Sequence, residues 1–390
     1  MVSDSWQREG LAVPPQEVVG GGWEAVLKFL RAGEKVPVFE LRLMLIGDGE
    51  AGKTSLQRAF KAPGHKAQWI EKEERTVGID MSALTFASAD GPSVLCHVCD
   101  CAGQSLYYFS HTLHFTRRCL YVLTWTAHKF SESRAAQALD LDAIVSPLKI
   151  WLQLLAANVP EASVIVVGTH CRVEPQRFEA MRVLVGQHVR DEIARLHHMA
   201  FAESAATREV LQQQETKARA LLADVNAEAV AALLQFSAPR IEFSDIKAVT
   251  AHVEGLRRVA KRGLMRKAEL LLKTAQEWTE TKARLCRLHA VYDGSVPDAG
   301  APAACLKLVN EESFAVDSME GDGVAELLAA VEGACRDKQA LPFMGELVPR
   351  SWLQVSDALK KQRHDVQSQQ LQPAQDIIGD CVMSLSEAYI

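Results

Sequence analysis

The sequence predicts an α/β fold in which a mostly parallel sheet is flanked by helices, and three observations predict it. A near-continuous apolar strand at Phe39–Ile46 leads through a glycine-rich turn to a helix start at Thr54. Further apolar strands alternate with helical patterns as far as Cys171. A long helical insertion, at about residues 173–306, then precedes a last strand at Ser313–Asp317 and a C-terminal helical segment.

The composition is that of an ordinary globular protein. Of the 390 residues, 48% are hydrophobic and 24% are charged, and the formal net charge of −6 gives no reason to expect a nucleic-acid partner. The nine cysteines are an odd number without regular spacing, which is typical of a reducing compartment. No stretch approaches the length of a transmembrane segment. We therefore predict a cytoplasmic protein.

The glycine-rich turn after the first strand has the spacing G-x-x-x-x-G-K-S/T, filled by Gly47, Gly52, Lys53 and Thr54. In this motif the loop N–H groups surround phosphates, the lysine reaches the outer ones, and the hydroxyl coordinates Mg²⁺. The glycines allow the backbone to turn where a Cβ would obstruct it. The predicted phosphate loop comprises Gly47, Asp48, Gly49, Glu50, Ala51, Gly52, Lys53, Thr54 and Ser55.

A second motif, DCAGQ, follows a predicted strand and begins with Asp100. Ligands of open α/β sheets gather at the carboxyl ends of strands, so this position suits a functional carboxylate. After a phosphate loop, Asp100 is expected in the Mg²⁺ shell, the Gly103 amide at a γ-phosphate, and Gln104 beside an attacking water. Thr76, between the two motifs, offers a hydroxyl to the metal, and its alternative is an ordinary loop threonine.

The other elements are predicted from periodicity. The predicted strands are Met81–Phe86, Val94–Val98, Cys119–Trp125 and Val164–Gly168. The predicted helices are Trp23–Arg31, Leu106–Phe115, Ala135–Leu155 and Gly323–Cys335.

Inside the insertion, apolar residues follow a 4-3-4-3 spacing that is typical of a coiled-coil seam. It suits either a partner protein's helix or an intramolecular helical hairpin, and the hairpin is favoured because the unbroken repeat is short. The seam consists of Leu264, Ala268, Leu271, Ala275, Trp278 and Leu285.

The ordered set GDGEAGKTS, RTVGID, DCAGQSLYYFSHTLHF and VIVVGTH resembles the Roc domain of the ROCO family, the Ras-like GTPases of large multidomain proteins. The resemblance covers most of residues 39–172 and resumes near Phe314. It implies a Ras-like P-loop NTPase fold, GTP or GDP as the bound nucleotide, and Mg²⁺ held by Thr54, Thr76 and, through water, Asp100.

The flanks extend the resemblance. PPQEVVGGGWEAVLKFLRAG is similar to the junction between leucine-rich repeats and Roc, and Phe343–Leu359 resembles the opening of the COR domain. The implied organisation is a linker at 1–38, a Roc-like domain at 39–340 with the insertion at about 173–306, and the start of a truncated COR-like domain at 341–390. Because COR domains mediate dimers in this family, a homodimer of the full-length protein is also implied.

One departure concerns the base. Ras-like proteins read guanine with the aspartate of N/T-K/H-x-D, whereas this chain has Thr169, His170, Cys171 and Arg172. A guanidinium has donors only, so Arg172 cannot accept the guanine N–H groups. By analogy with base reading in nucleic acids, losing this contact removes on the order of 1 to 3 kcal/mol of discrimination. Glu174 supplies an acceptor only if the loop slips by two residues.

The last base-binding loop also departs from the family. Asp317, Ser318 and Met319 stand where the family has a Ser-Ala-Lys-like turn, and Ser318 and Met319 are the implied base contacts. The phosphate half of the predicted site is therefore intact, and the base half is altered.

Two functions are open at this point. The first is a slow Mg²⁺-dependent GTPase that switches a neighbouring domain, with Gln104 positioning water and either Arg75 or an arginine of a second subunit supplying a cation. The second is a non-hydrolysing or base-promiscuous nucleotide-binding scaffold, which Arg172 motivates. The insertion has a possible protein partner in either case.

Overall fold

A computed structural model describes residues 22–31, 33–68, 76, 78–87, 91–104, 108–130, 136–232, 241–257, 260–290, 295–297 and 303–355. The strands are β1 Lys35–Val38, β2 Glu40–Gly47, β3 Ile79–Phe86, β4 Val94–Cys101, β5 Cys119–Thr126, β6 His128–Phe130, β7 Ala136–Ala138, β8 Ser163–Thr169, β9 Lys307–Leu308, β10 Phe314–Val316 and β11 Glu346–Pro349. The helices are α1 Gly22–Arg31, α2 Lys53–Lys61, α3 Tyr108–Thr112, α4 Leu141–Asn158, α5 Pro175–Ala232, α6 Ile246–Arg257, α7 Arg262–Leu288 and α8 Val324–Arg336.

The central sheet has the strand order β10-β8-β5-β2-β4-β3, and β9 also pairs with β8. Its pairings are parallel except for β3 against β4. The predicted α/β fold with a mostly parallel sheet is thereby confirmed. The parallel strands β2, β4, β5, β8 and β10 place their carboxyl ends at one edge, where the predicted motifs meet.

Strand β2 is apolar on both faces because helices cover the sheet on both sides. Met44 and Ile46 belong to a core that α4 and the start of α5 complete. Leu41, Leu43 and Leu45 belong to a second core, which contains apolar residues of α2 and α8. Alternate side chains of one strand therefore serve two cores, as expected for a strand buried on both faces.

Several predicted boundaries are wrong by a few residues. The helix predicted from Ala135 begins at Leu141, because the Asp140 carboxylate accepts a hydrogen bond from Ala143 N (2.8 Å) and caps that end. Residues 136–138 form β7 instead. The helix predicted at Leu106–Phe115 is described only over Tyr108–Thr112, and residues 105–107 lie outside the described part.

The insertion folds on itself. Leu264 and Leu271 of α7 are buried in a core with residues of α5 and α6, and Trp278 packs edge-on against Phe243 with ring centroids 5.2 Å apart. The predicted seam residues are all buried within the chain. Of the two alternatives for the seam, the structure therefore contains the intramolecular one.

The two flanks of the central sheet join each other, which the sequence did not indicate. Strand β1 pairs antiparallel with β11, and Arg350 N donates to Glu34 O (2.8 Å). The predicted C-terminal helical segment therefore contains a strand, while residues 356–390 lie outside the described part, as do residues 1–21. The domain boundaries given above stay a prediction.

None of the helices in the described ranges has the combination of length and apolarity needed to cross a bilayer.

Candidate functional site

The phosphate loop connects the end of β2 to the start of α2. Gly47 has φ 147°, and a Cβ there would collide with the Thr124 carbonyl and hydroxyl oxygens of β5. Gly52 has φ 74° immediately before the helix, and Glu50 adopts φ 66° although it carries a side chain. Two of the three positive φ values fall on glycine, the residue that tolerates them. The loop's backbone therefore explains the predicted glycine spacing.

Lys53 lies against the inner side of this loop. Its Nζ donates hydrogen bonds to Gly47 O (3.0 Å) and Asp48 O (2.7 Å), and the residue is buried. Burial lowers the pKa of the lysine, while the nearby Asp100 carboxylate opposes that change. A buried ammonium of this kind is a strong partner for phosphate oxygens.

Three oxygen-bearing side chains converge beside Lys53. The hydroxyls of Thr54 and Thr76 donate to Oδ2 of Asp100 over 2.6 and 2.7 Å, and the two hydroxyl oxygens are 2.9 Å apart. Asp100 is fully buried, and its Oδ1 has no hydrogen-bond partner within the described residues. Burial raises the pKa of this carboxyl group. Mg²⁺ prefers such oxygen ligands, so the donor set and the unpartnered Oδ1 fit a divalent cation.

The DCAGQ motif places its glycine against the phosphate loop. A Cβ on Gly103 would collide with the Asp48 carbonyl oxygen and with Lys53 Nζ. Gln104 follows on the exposed side, and the Tyr108 hydroxyl of α3 donates to Oδ1 of Asp48 (3.2 Å). The segment after β4 is thus tied to the phosphate loop by a side chain that the sequence did not single out.

Arg75, the predicted internal source of a cation, lies outside the described residues.

On the other side of the phosphate loop, β8 ends at Thr169. The Thr169 hydroxyl is within hydrogen-bonding distance of Ala51 O (3.1 Å), which ties the two segments together. His170 has φ 58°, and its Nδ1 lies 3.0 Å from the Thr126 hydroxyl. Burial lowers the pKa of His170 to about 4, so the ring is neutral at pH 7. Both predicted residues therefore adjoin the phosphate loop.

The altered base half is built from the ends of β8 and β10. Arg172 forms an ion pair with Asp322, and both side chains are partly exposed. Met319 N donates to Oδ1 of Asp317 (3.1 Å), and the buried Ser318 Oγ has no partner within the described residues.

These contacts also show where Glu174 and Asp322 lie. Glu174, offered as a substitute acceptor, has its carboxylate 3.4 Å from His128 Nε2. Asp322 was missed by the sequence reasoning. The only signal in the sequence was the pair of acidic residues, Asp317 and Asp322, in the turn after β10, and it does not specify which segment they meet.

Comparison with known proteins finds relatives for part of this chain. A family model described as "Ras of Complex, Roc, domain of DAPkinase" matches residues 42–172. The chain is 26% identical over 178 residues to the probable serine/threonine-protein kinase pats1 of Dictyostelium discoideum, which covers 41% of this chain and 5% of that protein. It is 29% identical over 175 residues to leucine-rich repeat serine/threonine-protein kinase 1 of Mus musculus, covering 43% of this chain and 8% of that protein.

The aligned part thus spans less than a tenth of these two relatives. Among solved structures, the Methanosarcina barkeri Roco2 RocCORdC bound to GDP is similar over 85% of this chain and 58% of that one, with 16% identity and a TM-score of 0.40. Residues 42–172 of this chain belong to the Roc family of Ras-like GTP-binding domains.

Proposed function

We propose that this chain binds GTP and GDP with Mg²⁺, hydrolyses GTP slowly, and acts as a nucleotide-dependent switch in intracellular signal transduction. The observation that carries the proposal is the convergence of the Thr54 and Thr76 hydroxyls on Asp100, next to Lys53. A phosphate loop beside such an oxygen cluster is the arrangement that a magnesium nucleotide requires.

Each side chain of this cluster has a distinct part in the proposal. Thr54 and Thr76 supply hydroxyl oxygens for Mg²⁺, and Asp100 supplies the negative charge, through water as the resemblance implies. When bound, Mg²⁺ neutralises charge on the phosphate oxygens. Thr76 and Thr54 come from different segments, so a ligand that holds both oxygens fixes Thr76 against the phosphate loop. This is the physical basis of the proposed switch.

In hydrolysis, a water oxygen adds to the γ-phosphorus while the bond to the β–γ bridging oxygen breaks, giving GDP and inorganic phosphate. Gln104 orients that water, and the Gly103 amide binds the γ-phosphate. The closeness of Gly103 to Lys53 supports this part of the proposal. Hydrolysis is slow unless a cation stabilises the transferring phosphoryl group, and Arg75 or an arginine of a second subunit is the proposed source.

Replacing Gln104 by leucine should lower the rate of GTP hydrolysis by roughly tenfold or more, since leucine cannot orient water by hydrogen bonding. GTP affinity should stay within about threefold, because Gln104 is exposed and lies beyond the phosphate contacts. Single-turnover phosphate release and nucleotide titration measure the two quantities.

Gln153→Leu is the matched control, because Gln153 lies on α4 and bonds Glu192 of α5 (2.9 Å). It should leave the hydrolysis rate unchanged. Unaltered phosphate release in Gln104→Leu would remove the proposed role of Gln104.

A second candidate is a nucleotide-binding scaffold that does not hydrolyse GTP or does not select the base. The Arg172–Asp322 ion pair favours it, because an arginine occupies the position of the usual base-reading aspartate. Retained nucleotide binding with hydrolysis no faster than that of free GTP would favour the scaffold over the enzyme.

The wider setting is also a proposal. We place the protein in the cytoplasm, without a nucleic-acid partner, and expect a homodimer through the COR domain of the full-length protein. A protein partner of the insertion would contact the outer surface of α5–α7, since the inner seam is buried within the chain.

A further inference from the structure

Three loops meet at the base side of the candidate site. Ala67 N, after α2, donates to Ser318 O (2.7 Å), and Cys171 N, after β8, donates to Val316 O (3.3 Å). A Cβ on Gly52 of the phosphate loop would lie 3.3 Å from the His170 ring. The loop after β10 is therefore a wall of the same site that contains the phosphate loop.

The register of the sheet gives Asp317 its position. Val316 of β10 pairs with Thr169 of β8, so Asp317 and His170 are the next residues at the same edge. The carboxylate is close enough to His170 to oppose the effect of burial on the pKa of that ring. Asp317 thus lies beside the segment that normally provides the base-reading aspartate.

Arg172 cannot perform that reading, and its charge is already engaged. The guanidinium offers donors only, and its Nε donates to Oδ2 of Asp322. The ion pair holds the guanidinium at Asp322, on the exposed part of the turn. The guanidinium thus bonds Asp322, whereas Asp317, the second acidic residue of the turn, acts on Arg172 through its charge.

Asp317 is organised as an acceptor. It is buried, and its Oδ1 accepts from Met319 N (3.1 Å) and Glu320 N (3.2 Å), which fixes the carboxylate. Both backbone N–H groups bond Oδ1, so neither of them occupies Oδ2 of the same carboxylate. The adjacent residue, Ser318, is 6% exposed, and its Oγ has no hydrogen-bond partner among the described residues. A buried polar atom without a partner is one that a ligand can hydrogen-bond.

We propose that Oδ2 of Asp317 reads guanine by accepting a hydrogen bond from its Watson–Crick edge, in place of the aspartate that Arg172 replaces. Guanine presents N1–H and an amino group there, whereas adenine presents an acceptor at N1, so a carboxylate favours guanine. This inference rests on the proposed nucleotide binding and specifies its base.

The test is displacement of a fluorescent GDP from the 390-residue chain by GDP, ADP and xanthosine diphosphate, in wild type and Asp317→Asn. The asparagine carbonyl still accepts from the turn, but its amide group replaces the acceptor by a donor. Xanthine carries a carbonyl where guanine carries its amino group. We expect Asp317→Asn to lose about tenfold or more of its preference for GDP over ADP and to gain affinity for xanthosine diphosphate.

Glu320→Gln is the matched control, because it makes the same acid-to-amide change on the same turn at a side chain that pairs with Lys66 (3.4 Å). It should keep the wild-type preference. Binding of xanthosine diphosphate by Asp317→Asn also shows that the variant is folded, because a collapsed turn would not gain a ligand.

The outcomes separate this inference from the proposed function. Equal displacement by GDP and ADP in wild type, or an unchanged preference in Asp317→Asn, overturns the role of Asp317 while nucleotide binding stands. A wild-type chain that binds none of these nucleotides overturns both. A loss of preference in Glu320→Gln of the same size assigns the effect to charge on the turn and also overturns it.

Discussion

Replacing Lys53 by alanine should weaken GTP and GDP binding by roughly 100-fold or more, since two charge-assisted hydrogen bonds to phosphate contribute on the order of 3 kcal/mol. Lys53 is the buried ammonium of the phosphate loop, and its Nζ is placed by Gly47 O and Asp48 O. Titration of the purified chain with a fluorescent guanine nucleotide measures the loss.

The control for this variant is Lys61→Ala, which removes an exposed lysine from the last turn of the same helix. Its nucleotide affinity should match that of wild type within about twofold, since a solvated charge at the far end of the helix from the phosphate loop is screened by salt. Thermal unfolding of both variants shows whether the fold is intact. Equal affinity of Lys53→Ala and wild type would contradict the assignment of the phosphate loop.

Replacing Gly168 by alanine should lower the free energy of unfolding by about 3 kcal/mol, at the upper end of the usual cost of overpacking a core. The added Cβ would lie 2.6 Å from the Trp125 ring and 2.7 Å from the Phe178 ring. These two rings stack with centroids 5.1 Å apart, and Trp125 Nε1 donates to Ser313 Oγ (2.8 Å). The rings therefore cannot move aside without breaking other contacts.

Gly333→Ala provides the matched comparison for Gly168→Ala. Gly333 is exposed on α8, and a Cβ there would meet nothing within 4 Å. Because alanine is the better helix former, this variant should be more stable than wild type by up to about 1 kcal/mol. Urea unfolding measures both changes. A Gly168→Ala protein as stable as wild type would show that the packing around Trp125 is looser than described.

The residues that the structure brings together at the proposed phosphate half could be named from the sequence because their pattern is local. Glycine, lysine and threonine at fixed spacing determine the turn and the helix start, and Asp100 lies at the carboxyl end of β4, whose apolar pattern is clear. The burial of β2 on both faces likewise follows from its near-continuous apolar sequence. Local patterns of this kind need no knowledge of which segments meet.

The parts that the sequence did not indicate depend on contacts between distant segments. The pairing of β1 with β11 joins the two flanks of the central sheet, and the residue pattern of neither strand predicts it. The hydrogen bond from Tyr108 to Asp48 and the ion pair of Arg172 with Asp322 are likewise non-local. Such partners are set by tertiary packing, so residue type alone could not identify them.

The base half shows the same limit at a functional position. The sequence identified Arg172 as a departure, and Glu174 was considered as a substitute because it is close in the chain. In the fold, the Glu174 carboxylate lies beside His128, and the acidic residues next to the Arg172 segment come from the turn after β10. Asp317 is the acidic residue that lies beside His170 at the edge of the sheet, and the sequence alone does not specify that neighbourhood.

The most direct test of the central claim is single-turnover phosphate release from GTP by the 390-residue chain, with Mg²⁺ and with the metal chelated. We predict release that is faster than from free GTP, that requires Mg²⁺, and that is slow, on the order of 10⁻⁴ to 10⁻² per second as for Ras-like domains without an activating protein. Tight binding of GTP with hydrolysis no faster than that of free GTP would contradict the GTPase. It would leave the nucleotide-binding scaffold.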